Sequence, residues 1–103
     1  MLFRSTPGAY RRDDRKQSGQ TRNLIANRTR PLRAEVQAID ARMEKLGTER
    51  AALEAQMASG TLSGTAVADA GRRLNHIAAE VTMQEERWLE LQTEIEAIQA
   101  ELA

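Results

Sequence analysis

The sequence predicts an all-α protein: an antiparallel two-helix coiled-coil hairpin with a disordered basic arm in front of it. Two observations lead to this fold class. Apolar residues recur at steps of three or four in two separate stretches, 32–57 and 67–102, so each stretch should form a helix with one narrow apolar stripe. Between them, the Gly/Ser/Thr-rich segment 59–65 is long enough only for an antiparallel return. Each stripe is therefore expected to be buried against the other.

The expected parts follow in order along a chain that is one domain at most. Residues 1–19 lack a helical period and should form a flexible basic arm or linker, and residues 20–103 should form the hairpin. We place one helix at about 20–58, the turn at 59–65 and the second helix at about 66–102. Gly60 suits the left-handed position after a helix, and Thr65 is the expected cap of the second helix. Gly71 adjoins the second stripe, where it would let the helices approach closely.

Pro31 lies within the first helical stretch and allows two interpretations. Proline lacks an N–H group and clashes with the preceding turn, so it either opens a helix, here with Thr29 as cap, or kinks a longer one. We favour the kink, because a helix that starts earlier places Ile25 beside Ile98 and covers the apolar end of the second helix. The other expected facing pairs are Leu32–Leu91, Val36–Trp88, Met43–Val81, Arg50–Leu74 and Met57–Val67.

Charge is strongly polarised although the net charge is zero. Residues 1–33 hold nine basic and two acidic side chains, and the acids predominate in the rest of the chain. Such a basic arm suits an anionic partner, and Tyr10 within it would stack on an unpaired base. The alternative is an arm that only solubilises the chain or docks on its own acidic helix. The candidate nucleic-acid-binding residues are Arg11, Arg12, Arg15, Lys16, Arg22, Arg28, Arg30 and Arg33.

Other chemistry finds little support in the sequence. There is no cysteine, and the only histidine, His76, is expected on the surface without a second ligand, so we predict no metal and no cofactor. The many glutamates of the second helix should form a solvated face, some of them paired within the helix, and Trp88 should belong to the core. No catalytic residue is predicted. Without an apolar run of membrane-spanning length or a signal peptide, a cytoplasmic location is expected.

Three segments, in this order, resemble the C-terminal domain of ABC-F-type ATP-binding-cassette proteins. They are TRPLRAEV at 29–36, IDARMEKL at 39–46 and ERWLEL at 86–91, and the resemblance covers about residues 11–100. It implies a cytoplasmic family with two nucleotide-binding cassettes, many of whose members act on the ribosome and translation. Some carry a C-terminal coiled-coil hairpin associated with nucleic-acid binding. This chain has neither cassette, so no ATPase activity is expected of it. Its turn is shorter than the aromatic-tipped loop of many relatives, so the contacts made by that tip are not carried over to it.

Sequence and resemblance together predict a non-enzymatic module that binds nucleic acid, either ribosomal RNA or DNA. The expected partner is nucleic acid or the ribosome, with no membrane and no small-molecule substrate. The alternative is a structural or oligomerising coiled coil, since Ala-rich helix flanks would let two hairpins pack as a four-helix bundle. A homodimer or docking on nucleotide-binding cassettes would then be its form of assembly.

Overall fold

Two long helices form an antiparallel hairpin in the computed structural model, which describes residues 7–102 and the side chains from residue 18 onward. Helix α1 spans Pro7–Ala58 and helix α2 spans Gly64–Leu102. The hairpin is a rod of 87 × 19 × 19 Å. No strand occurs between residues 7 and 102. The predicted all-α hairpin is confirmed.

The core is the predicted apolar seam between the helices. It contains one row of buried side chains from each helix, because an amphipathic stripe has no other surface on which to bury. Arg50 and Val67, both predicted in the seam, are exposed. The buried apolar residues are Ile39, Leu46, Ala70, Ile77, Leu91 and Ile95.

Helix α1 begins earlier than expected, at Pro7 rather than near residue 20. Proline is favoured in the first turn of a helix, where its missing N–H would have no partner. The residues that follow include several good helix formers, among them Ala9, Arg11 and Arg12. The flexibility expected of residues 1–19 stays a prediction.

Helix α1 continues through Pro31 without interruption, so it does not open there and Thr29 is not a helix cap. Thr29 is fully buried in the seam instead. Its hydroxyl donates a hydrogen bond to the Ile25 carbonyl oxygen at 2.7 Å, which satisfies the buried polar group. A threonine that bonds back in this way beside a proline is typical of a bent helix, and the kink itself stays a prediction.

The turn and the first part of α2 confirm one predicted residue and correct two. Gly60 has a φ of 69°, the left-handed conformation expected after a helix. The cap of α2 is Ser63 rather than Thr65, because the Ser63 hydroxyl accepts a hydrogen bond from the Ala66 N–H at 3.2 Å. Gly71 is not a site of close approach, since a Cβ atom built there would meet nothing within 4 Å.

In addition to the Arg28–Glu101 pair, three ion pairs link α1 to α2 along one side of the hairpin. Each arginine of these three pairs uses two of its nitrogens, as with Arg42, which donates from Nε and Nη2 to the Glu80 carboxylate at 2.6 and 2.8 Å. Successive pairs lie one heptad apart in both helices. We call this set the ladder, and its members are Glu35–Arg87, Arg42–Glu80 and Glu49–Arg73.

The ladder holds the helices close to the predicted register. Each of its pairs consists of the two residues that directly precede an expected facing pair, as Glu35 and Arg87 precede Val36 and Trp88. Its polarity alternates, since α1 contributes Glu, Arg and Glu in turn. A slip of one heptad would bring Glu35 against Glu80, so like charges penalise the wrong register.

Candidate nucleic-acid interface

Three of the predicted basic residues meet on one side of α1. Arg22, Arg30 and Arg33 line a shallow open groove of about 550 Å³, which we call the basic groove. Arg22 and Arg30 are eight residues apart and Arg30 and Arg33 are three apart, and at 3.6 residues per turn these spacings place all three within about a quarter of the helix circumference. The other lining residues are apolar or uncharged, so among the side chains of residues 18–102 no carboxylate lines the groove; they are Ile25, Ala26, Thr29, Ala34 and Gln37.

Two of these arginines are oriented by hydrogen bonds inside α1. Arg33 donates from Nε to the Thr29 hydroxyl at 3.3 Å, and that hydroxyl is fixed by its own bond to the Ile25 carbonyl. Arg30 donates from Nη2 to the Asn27 side-chain oxygen at 3.2 Å. In both cases the partner is neutral, so the positive charge stays available to an external anion. Among the side chains of residues 18–102, neither forms an ion pair.

The remaining predicted residues fall outside this cluster. Arg28 points away from the basic groove and lies 3.5 Å from the Glu101 carboxylate of α2. Arg28 is two residues from Arg30, and two residues turn a helix by roughly 200°, which puts it on the opposite side. The side chains of Arg11, Arg12, Arg15 and Lys16 lie outside the described residues.

Carboxylates of the ladder are already engaged by arginines. The hydrogen bond from Arg87 holds the pKa of Glu35 below its ordinary value, against the opposing effect of desolvation. The pKa values of Glu49 and Glu80 are lowered in the same way by Arg73 and Arg42. This side of the hairpin is therefore charge-compensated, whereas the basic groove is not.

Sequence reasoning missed the ladder, because it assigned Glu80 and its neighbours to a solvated face. The signal was present as opposite charges at heptad spacing that run in reverse order along the two helices. Thr29 and Asn27 were missed as the residues that orient the arginines. Their role depends on a helix that continues across Pro31, and the sequence alone allowed the helix either to start there or to continue.

The part of the chain that the structure describes offers little support for a metal site, a membrane span or an enclosed substrate pocket. His76 is exposed, as expected, and no group of acidic, histidine or cysteine residues within this part could hold a metal ion. Neither helix, over its described length, combines the length and apolarity needed to cross a membrane. The grooves are open surfaces rather than enclosed cavities, so they cannot desolvate a small substrate.

Comparison with known protein families gives one match. The family described as the ABC transporter C-terminal domain matches residues 27–93, which is more than half of the chain. The matched range includes Arg28, Arg30 and Arg33 as well as the whole ladder. Comparisons with curated proteins and with solved structures found no match.

Proposed function

The chain belongs to the family of ABC transporter C-terminal domains, and from that premise we propose that it is a non-enzymatic module that binds nucleic acid. The matched domain is separate from the ATP-binding cassettes, which this chain does not contain. Ribosomal RNA or DNA would be held by the basic face of α1. A cytoplasmic location follows from such a partner.

The observation that carries this proposal is the convergence of Arg22, Arg30 and Arg33 on one groove without a carboxylate. Arginines in an open, uncompensated groove can neutralise phosphates and release condensed counterions, which favours binding without sequence readout. A shallow, open groove on a helix face suits a long polyanion better than a small anion, because it cannot surround the ligand.

The early start of α1 extends this surface. With 3.6 residues per turn, positions 15 and 22 are a heptad apart and positions 12 and 30 are five turns apart, so they share a helix face. By the same periodicity position 11 lies near this face, and position 16 lies about 100° around the helix from position 15. The basic surface would then run about 33 Å along α1, from position 11 to position 33.

Salt dependence of binding tests the proposal. We would measure the fluorescence anisotropy of a labelled RNA hairpin and a labelled DNA duplex over about 50–200 mM salt. The plot of log affinity against log salt should fall with a slope between about −3 and −6. A flat plot for both nucleic acids would contradict the proposal.

Arginine variants locate the surface. The triple variant Arg22→Gln/Arg30→Gln/Arg33→Gln should reduce the slope by about 2–3, since each lost phosphate contact removes about one unit. Arg28→Gln is the matched control, because it removes an arginine of the same helix outside the basic groove, and its slope should not change. If the triple variant binds like the parent, the groove is not the binding surface.

A further inference from the structure

A second groove lies between the helices, on the side opposite the ladder. Its apolar residues are Ile39 and Met43 of α1 and Trp88 and Leu89 of α2, and its volume is about 380 Å³. Leu89 is 60% exposed and adjoins the half-buried Trp88 in this groove. We call it the Trp88 groove.

Helix geometry separates the two sides. Leu89 is two residues from Arg87, and Asp40 is two residues from Arg42, so each lies about 200° around its helix from a ladder residue. We call the two sides the ladder flank and the open flank. On the open flank, no ion pair joins the helices among the side chains of residues 18–102.

The charge around the Trp88 groove is negative. Asp40 and Glu85 form its rim, and no basic residue lines it. On the outer side of Leu89, the adjoining surface is lined by Glu86, Glu90 and Glu94. This surface repels a nucleic acid and attracts a cationic partner.

We infer that the Trp88 groove docks an amphipathic helix of a partner protein whose apolar stripe is flanked by lysine or arginine. Apolar side chains at helical spacing fill a groove between two helices and convert the pair into a three-helix arrangement. The partner's cations would then lie beside Asp40 and Glu85. Leu89 is the apolar anchor that this contact would bury.

The part of α1 that carries the basic groove, in a second copy of the chain, is a poorer occupant of the Trp88 groove. Its one large apolar residue at the basic groove, Ile25, is half-buried. Leu24, which is 52% exposed, is two residues from Arg22 and so lies on the opposite side of α1. A second copy would therefore bring either its arginines or its leucine to the groove, but not both.

Trp88 is the only tryptophan of the chain and reports on its own groove. The probe is a synthetic helical peptide of about 18 residues, made of leucine and lysine with leucines at i, i+3, i+4 and i+7. On titration, Trp88 emission should shift saturably to shorter wavelength as its exposed edge is covered. The same peptide with glutamate in place of lysine should bind at least about tenfold more weakly.

Matched variants separate docking from general attraction to an acidic protein. Leu89→Ala should weaken the lysine peptide about tenfold, and Glu85→Gln about threefold. Met83→Ala is the control for the first, because Met83 is 58% exposed on α2 outside the groove, and Glu44→Gln is the control for the second. Both controls should bind within about twofold of the parent.

Several results would overturn the inference. Equal binding of the two peptides, or equal effects of Leu89→Ala and Met83→Ala, would show that the groove is not the docking site. A dimer in light scattering whose formation alone shifts Trp88 emission would make a second copy the occupant. A shift of Trp88 emission on adding nucleic acid, abolished by Leu89→Ala, would assign the groove to the nucleic acid instead.

Discussion

The two flanks of the hairpin are formed by the same two helices but differ in whether their charged side chains pair across the helices. On the ladder flank, arginines and glutamates pair across the helices and leave little unbalanced charge. On the open flank, the cations of the basic groove and the acids of the Trp88 groove follow one another along the rod, with Arg33 and Asp40 one heptad apart, and within residues 18–102 neither set has partners across the seam. A difference of two residues in sequence decides which flank a side chain joins. The ion pairs that favour one register and the two proposed binding surfaces thus lie on separate sides.

Two leucines of α2 that are two residues apart, Leu89 and Leu91, should differ most in the stability lost when each is replaced by alanine. Leu91 is fully buried in the seam that both flanks share, whereas Leu89 lies on the open flank. Leu91→Ala should lower the free energy of unfolding by about 3 kcal/mol, and Leu89→Ala by less than about 0.5 kcal/mol. Urea denaturation followed by circular dichroism measures both. Similar losses in the two variants would mean that the open flank is part of the core.

Replacing a glycine of the open flank by alanine should give the next largest effect, an increase in the free energy of unfolding. Gly47 and Gly71 are two residues from the ladder residues Glu49 and Arg73, and a Cβ atom at either glycine would meet nothing. Gly47→Ala and Gly71→Ala should each stabilise the protein by about 1 kcal/mol in the same denaturation experiment.

Gly60→Ala is the control for these substitutions, because its positive φ should make an alanine destabilising there. A loss of stability on Gly71→Ala would reveal a contact on the open flank.

Charge reversal on the ladder should have a smaller effect, since exposed ion pairs are screened by water and salt. Arg42→Glu places two carboxylates together at Glu80 and should lower the melting temperature. Adding Glu80→Arg restores the pair with reversed polarity and should recover most of that loss. If the double variant melts no higher than the single one, the pair does not act as a unit.

Lowering the pH should reduce the contribution of the ladder to stability, and this is the smallest of the expected effects. The lowered pKa values of Glu35, Glu49 and Glu80 mean that the unfolded chain binds more protons than the folded one at moderately acidic pH. Their contribution to stability is complete above the ordinary carboxyl pKa of about 4.5 and is lost as the pH falls through the lowered values.

Thermal melting at a series of pH values tests this contribution. The variant Glu35→Gln/Glu49→Gln/Glu80→Gln should show a flatter fall in melting temperature between about pH 5 and pH 3 than the parent. Parallel curves would show that these carboxylates do not titrate with unfolding.

Much of the fold could be predicted from the sequence, because apolar spacing alone assigns residues such as Ile77 and Leu91 to the seam. The start of α1 could not, since residues 7–19 contain helix formers without an apolar stripe. The basic cluster was predicted only as a set of charges. Its division between the basic groove and the Arg28–Glu101 pair depends on how α1 continues past Pro31. The Trp88 groove could not be seen in one helix, because both helices form it.

Helix α1 begins at Pro7 and extends beyond the end of α2, because the register of the ladder places Leu102, the last residue of α2, opposite about residue 20 of α1. This overhang is continuous with a helix that the seam holds in place. The unfavourable step in helix formation is nucleation, and a chain that elongates an existing helix avoids it. The hairpin thus supplies the preformed helix from which the overhanging part of α1 elongates. The same residues in an isolated peptide would have to nucleate a helix before they could present their arginines on one face.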